Sequence, residues 1–117
     1  MVIGEVCLLT NDVPRLASFY KQLLGVDNGS EDETHQFILS EGTALTIYND
    51  GTPKNNQNQN ICLAFTVDDM DEAHEKVLAL GARIIEPPTK RPWGAINMSF
   101  CDPDNNVIYF RYFPNEK

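Results

Sequence analysis

Near the start of the chain, the pattern of hydrophobic and polar positions predicts a strand followed by a helix. Residues 2–10 are apolar and rich in β-branched or large side chains, which is typical of a strand. Residues 12–25 then show a helical period, in which Asp12 is the expected N-cap and Gly25 the expected left-handed stop. The apolar stripe of this helix is Leu16, Phe19, Tyr20, Leu23 and Leu24.

The same order returns about half a chain length later. Residues 60–67 form a second apolar strand, and a helical period follows in which Asp69 and Glu72 form a capping box and Gly81 is the stop. Aligning Asp12 with Asp69 also places Glu5 on Cys62. The chain is therefore predicted to contain two copies of one supersecondary unit.

Further strands are predicted after each helix. Residues 35–50 form a hairpin that turns at Glu41 and Gly42. After the second helix come strands at 82–86, 95–101 and 107–113, the last pair turning at DPDNN, where Asn105 or Asn106 takes the left-handed position. Polar residues between the copies are interpreted as a linker, with a mobile flap as the alternative. The predicted organisation is one domain, with a module at 1–52, a linker at 53–59 and a module at 60–113.

The period-two alternation of each strand predicts which side chains share a face. Val6 and Leu8 should lie under the first helix, and Leu45 and Ile47 should share that side. The opposite face is unusually polar for a sheet. It carries Glu5, Cys7, Thr46, Tyr48, Cys62, Tyr109 and Arg111. This composition is expected of a lined cleft, although a plain solvent-facing surface has it too.

Composition excludes several classes of protein. The 117 residues and 13.2 kDa fit one domain, and 17 acidic against nine basic residues give a net charge of −8. No run of Lys and Arg offers a phosphate-binding stripe, so no nucleic-acid partner is expected. The negative field attracts cationic small molecules, or it only keeps a small domain soluble.

The cysteines and the hydropathy of the chain are used to predict the cellular compartment of the protein. Cys7, Cys62 and Cys101 are odd in number and lie in apolar, strand-like stretches, so they are interpreted as reduced thiols. No segment has the length of apolar sequence that a membrane span needs, and the N-terminus has no basic region typical of a signal peptide. A cytoplasmic location without membrane association is expected.

Three stretches of the chain carry a family resemblance. They are VCLLTNDVPRLASFYKQLLGV, its echo CLAFTVDDMDEAHEKVLALGARI, and PWGAINMSFCDPDNNVIYF. With these motifs the chain resembles the vicinal oxygen chelate superfamily, which contains glyoxalase I, extradiol dioxygenases, fosfomycin-inactivating enzymes and bleomycin-resistance proteins. The resemblance implies an α+β fold in which two βαβββ modules form a curved mixed sheet around a cleft, with the helices on the outer face. It also implies a homodimer.

The resemblance carries the family's metal-ligand positions onto Glu5, Cys62, Tyr109 and Thr46, with Leu45 replacing Thr46 if the strand slips by one residue. Of these only Glu5 and Cys62 are competent ligands for a divalent cation. His35 precedes a predicted strand and His74 lies in the second helix, so both are expected outside the cleft. We therefore expect no family-type metal and no cofactor.

These observations favour metal-independent binding of a small, cationic and partly aromatic molecule, as in the bleomycin-resistance-like members of the family. The expected ligand-binding residues are Glu5, Cys7, Thr46, Tyr48, Cys62, Trp93, Met98, Tyr109 and Arg111. Trp93 lies in a loop that lines the pocket of binding members, or it caps a sheet edge. Cys62 is expected to be a packed thiol rather than a nucleophile.

Two alternatives stay open. The first is a lyase, isomerase or dioxygenase-like enzyme in which Glu5 is the catalytic base or a metal ligand. If Glu5 is instead a solvated carboxylate near a chain end, it has no such role. The second is an interaction module whose cleft is filled by its own side chains.

Overall fold

The computed structural model describes residues 1–55 and 61–114. The chain divides into two compact units, the first module at Met1–Asn55 and the second module at Asn56–Lys117. The division falls inside the predicted linker, of which residues 56–59 lie outside the described residues. The elements in chain order are β1 (Glu5–Leu9), α1 (Val13–Leu24), β2 (His35–Leu39), β3 (Ala44–Tyr48), β4 (Cys62–Thr66), α2 (Met70–Ala79), β5 (Ile84–Lys90), β6 (Ile96–Cys101) and β7 (Val107–Tyr112).

The first module forms a mixed three-stranded sheet in the order β1-β3-β2. β1 runs parallel to β3, with Cys7 opposite Thr46, and β2 runs antiparallel to β3. The predicted hairpin is confirmed, and its turn contains Gly42 at a φ of 67°. Among the described residues this module has one strand fewer than the resemblance implies, because no strand forms between α1 and β2.

Side chains of the segment 26–34 explain the missing strand. Asp27, Asn28 and Asp32 each accept a hydrogen bond from the backbone N–H two residues further on, at 2.8–2.9 Å. Such Asx turns offer the backbone a partner that competes with a strand ladder. The segment therefore crosses between helix and sheet as a series of turns.

The second module has the complete βαβββ order and a mixed four-stranded sheet, β4-β7-β6-β5. β4 runs parallel to β7, and the other neighbours are antiparallel. β5 is longer than predicted and contains Pro87 and Pro88. It is an edge strand with two register shifts, which is where a sheet tolerates proline. Asn105 takes the left-handed position of the DPDNN turn, at a φ of 65°.

Both helices begin at the predicted N-caps. The Asp12 side chain accepts from the Arg15 N–H at 3.2 Å, and the Asp69 side chain accepts from the Glu72 N–H at 3.1 Å. Gly25 ends α1 in the left-handed conformation, at a φ of 66°. The equivalent Gly81 lies one residue beyond the α2 C-cap and has a φ of 70°.

The core of each module lies between its helix and one face of its sheet. In the first module the fully or nearly buried apolar residues are Val13, Leu16, Ala17, Phe19, Tyr20, Leu23, Ile38, Leu45 and Ile47. In the second they are Met70, Val77, Ala95, Met98, Phe100, Cys101, Ile108 and Phe110. The predicted alternation is confirmed for β7, where Ile108 and Phe110 are buried and Tyr109 and Arg111 are not. In β3 Leu45 and Ile47 are buried as predicted, and Thr46 between them is buried as well. No described helix is long and apolar enough to cross a bilayer.

Candidate functional site

The side of the first sheet that turns away from α1 carries the predicted site residues of this module. We call it the first-module strand face. Alternation and register place on it Glu5, Cys7, Leu9, His35, Phe37, Ala44, Thr46 and Tyr48. Cys7 lies opposite Thr46 and Leu9 opposite Tyr48, so β1 and β3 present one continuous surface.

Glu5 and Thr46 are brought together on this face. The Thr46 Oγ1–H donates to Glu5 Oε1 at 2.5 Å. Thr46 is completely buried, whereas Glu5 is exposed. The one-residue slip that would have substituted Leu45 does not occur, because Leu45 lies in the core. One carboxylate oxygen is therefore held against the sheet while the group stays accessible to solvent.

Aromatic side chains extend this face toward β2. The His35 ring lies edge-on to Phe37, with centroids 4.8 Å apart, and edge-on to Tyr48 at 5.7 Å. Phe37 is 52% exposed and Tyr48 is 40% exposed. His35 was expected to precede the strand, but it is the first residue of β2 and pairs with Tyr48, which places it on this face. Sequence interpretation missed Phe37 as well, although its two-residue spacing from His35 was the signal.

Asp32 holds the start of β2 in place. Its carboxylate accepts from the Thr34 N–H at 2.8 Å, from the Thr34 hydroxyl at 2.8 Å and from the His35 N–H at 3.1 Å. These bonds, the Thr34 N–H above all, lower the pKa of Asp32 below its ordinary value. The carboxylate thus stays ionised at neutral pH and caps the residue that begins the aromatic cluster.

The side of the second sheet that turns away from α2 is the second-module strand face. The register places on it Cys62, Ala64, Thr66, Asn97, Ser99, Tyr109 and Arg111. Arg111 Nε–H donates to Thr66 Oγ1 at 2.8 Å, and the guanidinium lies 5.3 Å from the Phe113 ring centroid. Asn97, which the sequence analysis missed, has a buried Oδ1 without a hydrogen-bond partner.

The structure corrects two expectations in the second module and locates a third residue. Met98 pairs with Phe110 and is completely buried, so it belongs to the core and not to the strand face. Cys62 is exposed, so the expectation of a packed thiol is wrong there. Trp93 is 68% exposed in the turn between β5 and β6.

The carried-over metal positions occur as diagonal pairs, Glu5 with Thr46 in the first module and Cys62 with Tyr109 in the second. The Thr46 hydroxyl donates a hydrogen bond to the Glu5 carboxylate, so it acts as a hydrogen-bond donor and not as a second metal ligand. Within residues 1–55 and 61–114, no group of three or more His, Cys, Asp or Glu side chains is arranged to hold a metal ion. These residues do not fit the family's divalent metal.

Each module thus covers one sheet face with a helix and leaves polar and aromatic side chains on the other. This duplicated α+β architecture defines the class of fold. The chain belongs to the Glyoxalase/Bleomycin resistance protein/Dioxygenase superfamily, whose family model matches residues 2–110. The resemblance seen in the sequence motifs is confirmed.

The chain is also similar to individual proteins and solved structures. The chain is 27% identical to the uncharacterized protein YraH of Bacillus subtilis (strain 168), covering 92% of this chain and 95% of that protein. A glyoxalase/bleomycin resistance protein/dioxygenase family enzyme from Burkholderia phytofirmans PsJN is 17% identical, with a TM-score of 0.80 and coverage of 97% and 99%. A structure from the mobile metagenome of V. Pseudocholerae is 27% identical, with a TM-score of 0.75 and coverage of 98% and 96%. The two solved structures share the fold of this chain.

Proposed function

We propose that this protein binds a small organic cation with a flat aromatic part, and that the first-module strand face is its principal contact surface. The observation that carries the proposal is the aromatic cluster of the half-buried His35 with the exposed Phe37 and Tyr48, on the same face as the Glu5 carboxylate. No step of binding requires a metal ion. Tyr109, Arg111, Cys62 and Trp93 of the second module stay predicted contacts.

The surface suits such a ligand on two grounds. Phe37 and Tyr48 expose 52% and 40% of their surface. Contact between aromatic rings contributes roughly 1 kcal/mol beyond the apolar area that it buries. The face of an aromatic ring also attracts a cation, by about 0.5–1 kcal/mol at an exposed site. Glu5 adds a negative charge, and its orientation is set by Thr46 before any ligand arrives.

The path of contacts along this face is continuous. Glu5 bonds to Thr46, Thr46 lies opposite Phe37, and the His35 ring connects Phe37 with Tyr48. A planar cation can therefore lie against the rings and still place its positive charge toward the carboxylate. The net charge of −8 favours the approach of any cation to this surface.

Calorimetric titration with N-methylquinolinium, a minimal flat aromatic cation, tests the proposal. The wild-type protein should bind it more tightly than neutral quinoline at a pH where quinoline is unprotonated. Phe37→Leu should weaken binding about fivefold through loss of the ring contact. Glu5→Gln should weaken it about threefold, the effect expected of an exposed charge pair.

Glu75→Gln is the matched control, because Glu75 is an exposed carboxylate on α2 and its loss changes the net charge equally. It should leave the affinity unchanged. Absence of binding heat for the wild-type protein, or equal weakening by Glu5→Gln and Glu75→Gln, would contradict the proposal.

A lyase or isomerase is the second candidate, and the fixed but exposed Glu5 carboxylate favours it, since a general base has to reach its substrate. For any substrate turned over by the wild-type protein, Glu5→Gln should abolish turnover while the thermal unfolding curve stays the same. Retained turnover in that variant would exclude Glu5 as the base.

A further inference from the structure

A groove on the opposite side of the first module has no role in the function proposed above. It lies between α1, the turn segment 26–34 and Gln36 of β2, and its volume is about 780 Å³. Gln36 pairs with the core residue Ile47, so it lies on the helix side of the sheet. The groove is therefore separate from the first-module strand face.

Gln36 is the unusual residue of this groove. It is only 3% exposed, and its Nε2–H donates to the Asp32 carbonyl at 2.9 Å. That bond fixes the orientation of the amide, because a carbonyl oxygen can be met only by the NH₂ end. Gln36 Oε1 is left buried without a hydrogen-bond partner. An unmatched buried acceptor is costly, so a ligand that donates an N–H to it gains the stabilisation that the protein lacks.

The charged residues that line the groove indicate the sign of the charge that the ligand carries. Asp27, Glu31 and Glu33 all line the groove, and no ion pair in the described part of the chain involves them. Lys21 also lines it, but its Nζ donates to the Ser30 carbonyl at 2.7 Å and is held there. Three carboxylates exclude an anionic ligand and favour a positively charged one.

Apolar residues also line the groove. Pro14 and Ala17 of α1 and Val26 after it lie in the same lining, so aliphatic carbon has surfaces to cover. A chain of methylene groups that carries several ammonium groups matches all three features. We propose that this groove binds an aliphatic oligoamine, with one ammonium N–H donated to Gln36 Oε1 and the others near Asp27, Glu31 and Glu33.

Spermidine is the probe that tests this proposal, with binding followed residue by residue by amide and side-chain NMR at low ionic strength. Saturable shifts should appear in residues 14–36, including the Gln36 side-chain amide, and should weaken as salt is added. Gln36→Met keeps the side-chain volume but removes the Oε1 acceptor together with the Nε2–H that donates to the Asp32 carbonyl, and it should weaken binding about tenfold.

The pair Glu31→Gln and Glu33→Gln tests the charges without touching a buried group, so it stays informative if Gln36→Met does not fold. It should weaken binding at least as much as Gln36→Met. The control pair Asp71→Asn and Glu75→Gln removes the same charge from exposed positions of α2 and should have little effect.

Three results would overturn the proposal: equal weakening by both charge pairs, unchanged binding by a folded Gln36→Met, or shifts confined to Glu5, Thr46 and Tyr48. The last result would assign spermidine to the first-module strand face and support the function proposed there. Failure of N-methylquinolinium to bind, with spermidine still shifting residues 14–36, would leave the groove assignment standing.

Discussion

The hydrogen bond between Thr46 and Glu5 joins a fully buried hydroxyl to an exposed carboxylate. A buried hydroxyl that loses its partner remains desolvated, so the pair should be coupled energetically. We expect Thr46→Val to lower the free energy of unfolding by about 1 kcal/mol in the wild-type background and by much less beside Glu5→Ala. A double-mutant cycle measured by urea unfolding checks this. Equal costs in the two backgrounds would show that the hydrogen bond contributes nothing.

Asp50 is the residue whose titration the structure changes most clearly. Its carboxylate accepts from the Thr52 hydroxyl at 2.7 Å, the Thr52 N–H at 2.9 Å and Lys54 Nζ at 3.0 Å. These contacts, the Thr52 hydroxyl first, lower the pKa of Asp50 to about 2. A carboxyl whose folded pKa is depressed stabilises the fold above its unfolded value near 4. That contribution is lost as the pH falls from about 4 to about 2.

The Asp50 carboxyl carbon, followed by NMR through an acid titration, should therefore give a midpoint near 2. Thr52→Val removes the hydroxyl donor and should raise this midpoint, whereas Thr89→Val, whose hydroxyl donates to the Pro87 carbonyl, should not. A wild-type midpoint near 4 would contradict the assigned contacts.

At the scale of the element, Asp12 and Asp69 cap the first turns of the equivalent helices α1 and α2. Asp12→Ala and Asp69→Ala each remove the acceptor of a first-turn N–H, and each should lower the free energy of unfolding by about 1 kcal/mol. Glu75→Ala, an exposed change in the middle of α2, should stay within about 0.5 kcal/mol of the wild-type value. Urea unfolding monitored by circular dichroism measures all three. If Asp12→Ala and Asp69→Ala lost no more stability than Glu75→Ala, the N-caps would not contribute to the free energy of unfolding.

The elements also show where sequence patterns are informative. Helix starts and stops depend on side chains within one turn, so Asp12, Gly25 and Asp69 were predictable from the chain alone. The end of β5 was not, because Pro87 and Pro88 argue against a strand unless it is known to lie at a sheet edge. Edge position is a property of the sheet and has no local signal.

For the whole molecule, the homodimer implied by the family resemblance stays a prediction. Val2, Ile3 and Ile61 expose 70–88% of their surface, which is apolar area that a partner chain would cover. We expect sedimentation equilibrium to give twice the mass of 13.2 kDa, and Ile3→Glu to shift the equilibrium toward monomer. A monomer mass for the wild-type protein at every concentration would rule the dimer out.

The amino-acid sequence by itself determined the duplicated α+β plan, the helix boundaries and the alternation that separates core from strand face. These features depend on interactions between residues close in the chain, and periodicity records such interactions directly. It also placed Glu5 and Thr46 on one face, since each alternates with apolar residues assigned to the helix side, Val6 and Leu8 in the first strand and Leu45 and Ile47 in the third.

Tertiary structure alone decided the rest, because pairing register joins residues that are distant in the chain. Register placed His35 and Phe37 beside Tyr48 and moved Met98 into the core. The groove forms where α1 and the turn segment 26–34 meet, and Gln36 Oε1 is buried beside it. The sequence predicted no functional residue in this part of the molecule. Burial and hydrogen-bond satisfaction arise only when segments meet, so no local pattern could indicate them.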